Sequence, residues 1–202
     1  MHETIAQILL RVKAVSLSPN KPFTFASGIQ SPIYCDNRIL LSYPTEREII
    51  VHSFLKLIKK NKLECDTIAG TATAGIPWAA WISTRLRKPL VYVRSEAKKH
   101  GKQNLIEGIV KKNDKILVVE DLVSSGSSSI NSVNALRDKK AIIKNVISIF
   151  TYNMKKSKRL FQTSNVNVLS LCTLDQLIQV SLKTRSINQK EANMILHWRN
   201  NH

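Results

Sequence analysis

The chain has 202 residues, 43% of them hydrophobic and 22% charged, which suits one globular domain with a sizeable core. Lys and Arg number 31 against 14 Asp and Glu, and the resulting formal net charge of +17 favours an anionic partner: a phosphorylated metabolite, nucleic acid or a membrane surface. No apolar run approaches the roughly 18–20 residues of a membrane helix, and residues 1–13 lack the pattern of a secretory signal, so we expect a cytoplasmic protein.

Helical and strand patterns alternate along the chain, which predicts an α/β fold on a mostly parallel sheet. The segment 17–41 contains three prolines and many turn residues, and predicts irregular or hairpin structure. The predicted strands are 67–70, 90–93, 116–119, 146–150 and 166–169. The predicted helices lie around Ile5–Val12, after Pro44, over Trp78–Leu86 and Ile130–Leu136, and after the capping motifs Thr173-x-x-Gln176 and Asn188-x-x-Glu191.

The pattern fails between Arg94 and Lys112, where charged residues and two glycines replace any periodicity. Such a length without secondary structure is unusual inside a compact domain. We therefore expect either a functional lid or a disordered segment here.

The sequence VVEDLVSSGSSS, residues 118–129, carries the clearest chemistry. A buried strand ends at the acids Glu120 and Asp121, at the strand edge where parallel sheets bind ligands. The serine-rich turn that follows leads into a helix beginning at about Ser128, and its backbone N–H groups and hydroxyls suit a phosphate. Acids beside a phosphate site can accept hydrogen bonds from sugar hydroxyls, so the motif predicts a sugar-phosphate site. Solvated acids before a polar turn are the alternative.

Other phosphate and metal motifs are missing from the sequence. No Gly-Lys-Ser/Thr follows the turn, which excludes a Walker loop, and the motif has no G-x-G-x-x-G pattern. The three cysteines, Cys35, Cys65 and Cys172, are widely spaced with no C-x-x-C, so we expect apolar packing residues rather than a zinc site.

The acidic motif resembles the phosphoribosyl-pyrophosphate (PRPP) signature of type I phosphoribosyltransferases. Further segments resemble the orotate phosphoribosyltransferases of that family, in family order, from about residue 15 to 155. They are FTFASGIQSPIYCDNR (23–38), GTATAGIP (70–77), YVRS (92–95), KKHG (98–101) and QNLIEG (103–108). The resemblance implies the type I phosphoribosyltransferase fold: one domain over residues 1–202, a mostly parallel central sheet flanked by helices, a hood from about 1–40 and a mobile catalytic loop at about 94–110.

The resemblance also implies a reaction and its partners. Orotate would attack C1 of PRPP, giving orotidine 5′-phosphate and pyrophosphate in UMP biosynthesis. Mg²⁺ would arrive on PRPP without dedicated protein ligands. A homodimer would share the catalytic loop across subunits, with neither nucleic acid nor membrane as a partner.

Site residues carried over by the resemblance fall into three groups. The catalytic residues would be Arg94, Lys98, His100 and Asp121. PRPP would bind Arg94, Lys98, His100 and the run Glu120, Asp121, Leu122, Val123, Ser124, Ser125, Gly126, Ser127 and Ser128, with Thr71 to Ala74 near its pyrophosphate. Orotate would bind Ser124 and Tyr34, with Cys35 also beside the ring.

Two departures from the family pattern bear on this site. Ser127 stands where many relatives have glycine, which is tolerable if its φ is negative. Some relatives carry an arginine that binds orotate where Thr151-Tyr152-Asn153 stands, which leaves the substrate carboxylate without an assigned charged partner, and Arg38 is one candidate.

Three other functions fit parts of the sequence. The net charge of +17 would suit a nucleic-acid-binding regulator on the same fold, but the chain has no spare length for a DNA-binding module. A non-catalytic protein with a decayed site would not need both acids and all three loop cations. A phosphoribosyltransferase for another base is disfavoured by residues Phe25–Arg38.

Overall fold

The computed structural model describes residues 2–24, 28–95 and 105–201. Its helices are α1 (His2–Arg11), the 3₁₀-helix η1 (Asn37–Ser42), α2 (Pro44–Lys60), α3 (Gly75–Leu86), α4 (Ser127–Asp138), α5 (Lys155–Thr163), α6 (Leu174–Lys183) and α7 (Gln189–Asn201). Its strands are β1 (Val15–Leu17), β2 (Phe23–Thr24), β3 (Gln30–Ser31), β4 (Ile33–Cys35), β5 (Thr67–Thr71), β6 (Leu90–Val93), β7 (Ile106–Glu107), β8 (Lys115–Val123), β9 (Ile142–Thr151) and β10 (Asn167–Thr173).

Within these ranges the central sheet has six strands in the order β10-β9-β8-β5-β6-β7. All neighbours run parallel except β7, which pairs antiparallel with β6. The predicted α/β class with a mostly parallel sheet is confirmed. Strand β8 lies between β9 and β5, so the carboxyl end of β8, with its acids, is at the centre of one edge of the sheet.

Apolar side chains cover both faces of the sheet. One face packs under α1, α2, α3, α6 and α7, around Phe54, Trp78 and Leu177. The other packs under α4 and α5, around Leu136 and Phe161. Complete burial of each large apolar side chain stabilises the fold by about 1.5–3 kcal/mol, so both layers hold the sheet edge in place.

Helix starts follow the sequence signals closely. Pro44 is the first residue of α2, as predicted. Thr173 and Gln176 form the predicted reciprocal capping box at α6. Before α7, the Glu191 amide donates to Asn188 Oδ1 at 3.0 Å and the Asn188 amide donates to Glu191 Oε2 at 2.8 Å. These caps satisfy amide groups that have no partner inside the helix.

The segment 17–41 folds into short antiparallel pairs, as its turn residues predict. Strand β1 pairs with β4, and β2 pairs with β3. Asp36 then caps η1, because its side chain accepts a hydrogen bond from the Arg38 amide. This N-terminal segment leads directly to the edge of the sheet that carries the acids.

The structure differs from the sequence prediction at several places, and strands β9 and β10 are also longer than predicted. Strand β8 runs to Val123 rather than ending at Val119, because Glu120 and Leu122 continue the pairing with Ser148 and Phe150 of β9. Helix α5 was not predicted, since its one fully apolar buried side chain is Phe161. The irregular stretch after Arg94 contains the short strand β7.

No helix in the described part of the chain is long and apolar enough to cross a membrane.

Gly75 offers a test of how α3 is held against β8. Alanine normally stabilises a helix relative to glycine by about 1 kcal/mol, but a Cβ at Gly75 would lie 2.5 Å from the Val119 carbonyl oxygen. We expect Gly75→Ala to destabilise the protein by about 1–3 kcal/mol, because backbone on both sides must shift. Thermal unfolding measures this as a drop in Tm of several degrees.

The control is Thr84→Ala, which places alanine at an exposed position of the same helix. Its Tm should stay close to that of the wild type. A Gly75→Ala protein as stable as the wild type would show that α3 is not held by this backbone contact.

Candidate active site

A cavity of about 460 Å³ lies at the carboxyl edge of the sheet, over the end of β8. Three segments far apart in sequence meet there: the start of η1, the turn between β5 and α3, and the end of β8 with the turn that follows it. The lining residues are Cys35, Asp36, Arg38, Ala72, Thr73, Ala74, Glu120, Asp121, Leu122, Ser124, Ser125, Gly126 and Ser128.

Glu120 is 4% exposed, and both of its carboxylate oxygens accept hydrogen bonds. Its Oε1 accepts from the Asp121 amide at 3.1 Å. Its Oε2 accepts from the hydroxyls of Ser128 at 3.3 Å and Ser129 at 3.2 Å, which lie in the first turn of α4. The carboxylate thus connects the end of β8 to the start of α4.

Burial, and secondarily the charge of Asp121, raise the pKa of Glu120 to about 8. Burial also raises the pKa of Asp121, although hydrogen bonds from Glu120 and from backbone amides, and the charge of Arg38, act in the opposite direction. Two adjacent carboxyl groups that are partly removed from water cannot both ionise cheaply. At neutral pH, the unliganded pair therefore favours holding one proton between its two members.

The turn after β8 depends on Gly126, which adopts φ of +84° and precedes α4. A Cβ on Gly126 would lie 2.7 Å from Cε2 of Phe161, so both conformation and space require glycine here. Ser127 is the first residue of α4 and is not among the residues with positive φ. A serine at position 127 is therefore compatible with the turn, because the strained position is Gly126.

The first N–H groups of α4 have no carbonyl partners within the helix and carry its positive dipole end. The hydroxyls of Ser125 and Ser127 are 3.2 Å apart beside them. Donors from the backbone and from side chains therefore converge at the cavity, which is the arrangement that binds a phosphate group. Val123, by contrast, is 2% exposed and packs in the core under α4 and α5, so only its backbone can contribute.

The turn 71–74 forms the opposite wall of the cavity. The Ala72 amide donates to the Val93 carbonyl at 2.8 Å, which holds the turn against β6. Thr71 is 3% exposed, and its Oγ1 has no hydrogen-bond partner in the part of the chain that the structure describes. Gly75 places the start of α3 directly against the backbone of Val119.

A second cavity, of about 340 Å³, adjoins the first through Ala72 and Ser128 and is lined by Arg94. Arg94 pairs with Glu107 at 3.4 Å, and its amide donates to the Leu105 carbonyl at 2.8 Å. The latter bond joins the two ends of the segment 96–104. Lys98 and His100 belong to that segment and lie outside the described residues.

Residues 34–38 reach the cavity from the N-terminal side. Tyr34 is 41% exposed, packs against Phe23 with ring centroids 5.6 Å apart, and does not line the cavity. Cys35 does line it, and burial together with the charges of Asp121 and Asp36 raises the pKa of its thiol. A protonated, unreactive thiol at neutral pH follows.

Asn37 makes a contact with β8 that the sequence did not predict. It is 1% exposed, and its Nδ2 donates to the Asp121 carbonyl at 2.9 Å. A single asparagine in a turn-rich segment carries no signal of such a contact, which joins residues 84 positions apart. The bond fixes η1 to the acidic end of β8.

Among the described residues, no cluster of three or more His, Cys, Asp and Glu side chains could hold a metal ion. The two adjacent acids and several hydroxyls that line the cavity are suited to a ligand that brings hydroxyl groups.

Comparison with known proteins is consistent with this geometry. The family model for the phosphoribosyl transferase domain matches residues 42–182. Orotate phosphoribosyltransferase from Listeria innocua is 47% identical over 201 residues, covering 100% of this chain and 96% of the relative. The protein of the same name from Coxiella burnetii is 46% identical over 194 residues, covering 96% and 93%.

Among solved structures, orotate phosphoribosyltransferase from Aeropyrum pernix superposes with a TM-score of 0.78 at 28% identity, covering 91% of this chain and 99% of that one.

The raised pKa of Glu120 predicts how the stability of the unliganded protein depends on pH. The folded state holds a proton that the unfolded chain releases, so stability should fall as pH rises from about 4.5 to about 8. Glu120→Gln removes the ionisation and should flatten this slope. We expect the variant to exceed the wild type by roughly 1–3 kcal/mol at pH 8 and to match it near pH 4.5.

Thermal unfolding without ligand, followed between pH 4.5 and 8.5, measures the effect. Glu64→Gln is the control, because Glu64 is exposed and paired with Lys115 at 2.8 Å. It should keep the wild-type slope. An identical slope in the wild type and Glu120→Gln would mean that Glu120 is ionised in the folded protein.

Proposed function

The chain belongs to the orotate phosphoribosyltransferase family, and we infer that it catalyses the reaction of that family. N1 of orotate displaces pyrophosphate from C1 of PRPP, which gives orotidine 5′-phosphate in UMP biosynthesis. The observation that carries this inference is the joint position of Glu120, Asp121 and the Gly126 turn in one cavity. Acids for sugar hydroxyls and donors for a phosphate lie there side by side.

Glu120 and Asp121 are proposed to bind the ribose of PRPP. Their carboxylate oxygens accept hydrogen bonds, and the 2′- and 3′-hydroxyls of the sugar supply them. The same carboxylates stabilise the positive charge that develops on the ribose as pyrophosphate leaves. Asp121 is the preferred candidate for this role because its side chain is less buried than that of Glu120. Mg²⁺ enters on PRPP as part of the substrate.

The 5′-phosphate is proposed to bind the turn of residues 124–128. Gly126 gives the turn its conformation, while Ser124, Ser125 and Ser128 line the cavity. The amide groups at the start of α4 then face the phosphate oxygens without any change in the backbone. Leu122 lines the cavity beside the turn, and Val123 and Ser127 contribute through their backbone.

Pyrophosphate is proposed to leave towards the turn 71–74 and the cavity that Arg94 lines. Arg94, with Lys98 and His100 of the proposed mobile loop 94–110, would neutralise the charge on the departing oxygens. Such donors act most strongly where water is excluded, so a closing loop supplies both the cations and the seal. The orotate ring is proposed to lie near Ser124, Tyr34 and Cys35, under a hood formed by about residues 1–40.

We also propose that the chain forms a homodimer in which each subunit lends its loop to the other. Exposed apolar side chains at Ile39, Tyr43 and Ile49 provide a surface for association. A dimer with a two-fold axis would bring the same surface of both subunits together.

The reaction is tested by mixing the protein with orotate, PRPP and Mg²⁺ and following the absorbance of orotate. Asp121→Asn should lower kcat/KM by roughly 10²–10³-fold, because the amide no longer stabilises positive charge on the ribose. Asp114→Asn is the control: it lies in the turn before β8, at the opposite edge of the sheet, and should keep wild-type activity. No PRPP-dependent loss of orotate with the wild type would refute the proposed reaction.

Loop sharing is tested by complementation between two inactive variants, Lys98→Ala and Asp121→Asn. If the loop acts on the partner, a mixed dimer has one site with both defects and one intact site. Random exchange of subunits should then restore about a quarter of wild-type activity. No recovery after subunit exchange, verified by differently tagged chains, would place the loop over its own subunit's site.

A further inference from the structure

Orotate differs from uracil by a carboxylate on the ring, so a site that selects orotate needs a cation beside the base. Among the described residues that line the 460 Å³ cavity, Arg38 is the one cation. Arg94 lines the adjoining cavity, where pyrophosphate is proposed to leave. Assigning a cation to the base rests on the proposed function.

Arg38 lines the cavity together with Cys35, near which the orotate ring is proposed to lie. It lines the same space as Asp121 and Ser124, and its charge lowers the pKa of Asp121. Since Asp121 is proposed to hold the ribose, Arg38 shares one cavity with the sugar site. A base attached to C1 would enter the same cavity, so the guanidinium is available to a substituent on that base.

Asp36 orients the guanidinium. Nε of Arg38 donates to Asp36 Oδ1 at 2.7 Å and Nη2 donates to Oδ2 at 2.9 Å, while the Arg38 amide donates to Oδ1 at 3.1 Å. A guanidinium has five N–H donors, and this pairing uses two of them on one edge. Nη1 and the second hydrogen of Nη2 remain for a second carboxylate, which matches the two-oxygen geometry of the substrate group.

Asn37 fixes this arrangement relative to the sugar site. Its buried amide donates to the carbonyl of Asp121 at 2.9 Å, so the backbone between Asp36 and Arg38 cannot move independently of the acid. In a nucleotide the distance from the ribose to a ring carboxylate is fixed by covalent bonds. A short, rigid connection between Asp121 and Arg38 can therefore match that fixed distance.

From these contacts we infer that Arg38 binds the carboxylate of orotate and selects it over bases that lack this group. Asp36 and Asn37 are positioning residues for the guanidinium. The Arg38 side chain is 65% exposed in the unliganded protein, so the contribution is moderate and grows when the closed site excludes water.

The test compares Arg38→Gln and Arg38→Lys with the wild type on two bases, orotate and uracil, at saturating PRPP. Arg38→Gln should lower kcat/KM for orotate by roughly 10–100-fold and leave uracil unchanged. If uracil turnover is too slow to follow, the inhibition constant of uracil against orotate is measured instead, and it gives the selectivity for orotate over uracil. Arg38→Lys should recover part of the loss, because it keeps the charge without the planar fork.

Asp36→Asn should raise the KM for orotate without affecting the binding of uracil. Arg85→Gln is the control, because Arg85 is also exposed and paired with a carboxylate, Glu48, but lies in α3 outside the cavity. It should behave as the wild type on both bases.

Three outcomes would overturn the assignment. They are full activity of Arg38→Gln on orotate, equal losses on orotate and uracil, and weaker PRPP binding, which would place the guanidinium on a phosphate instead. A wild type that turns over orotate while Arg38→Gln keeps full selectivity refutes this inference alone. A wild type that does not turn over orotate refutes the proposed function.

Discussion

Two adjacent carboxyl groups at the end of the central strand impose the main constraint on this molecule. Removing Glu120 and Asp121 from water costs free energy, and their mutual repulsion adds to the cost. The fold tolerates this because β8 is paired on both sides, by β5 and β9, and packed on both faces. Hydroxyls of Ser128 and Ser129 offset part of the cost. Without ligand the pair relieves part of the remainder by holding a proton, and a ligand that brings hydroxyl donors and positive charge can take over that role.

The precision of the site derives from contacts to the backbone of β8 rather than from contacts between flexible side chains. Gly75 lets the start of α3 approach the carbonyl of Val119, and Asn37 donates to the carbonyl of Asp121. Gly126 turns the chain back so that α4 begins beside the same strand end. Backbone groups at the centre of a sheet move little, since each is held by its neighbours on both sides. Segments that are far apart in sequence thus share one rigid reference, and the groups proposed for base, sugar and phosphate are placed relative to it.

The local parts of this site could be predicted from the sequence, and the parts that depend on distant contacts could not. An apolar strand, two acids, a serine-rich turn and a helix are contiguous, so residues 118–129 alone predict a sugar-phosphate site. The extension of β8 to Val123 depends on pairing with β9, where Glu120 lies opposite Ser148, and a polar residue in the sequence gives no sign of that partner. Helix α5 has too narrow an apolar face to be recognised by periodicity. The role of Asn37 is visible only in the folded structure, where η1 contacts the end of β8. Whether a serine at position 127 is compatible with the turn depends on its φ, and the positive φ of the turn is taken by Gly126 instead.

An acidic cavity in a basic protein is consistent with binding an anionic substrate, because charges act differently at long range and at hydrogen-bond distance. Within the cavity, three described acids, Asp36, Glu120 and Asp121, face one described cation, Arg38. Over the whole chain, the formal net charge is +17. Within about a Debye length of the surface, about 8–10 Å at physiological salt, the net positive charge attracts anions such as PRPP and orotate. Contact selectivity is set by the groups at hydrogen-bond distance, where the two acids are proposed to accept hydrogen bonds from the ribose hydroxyls of PRPP. The acids would therefore favour a ligand that brings hydroxyl donors over a bare phosphate, although the overall charge attracts both.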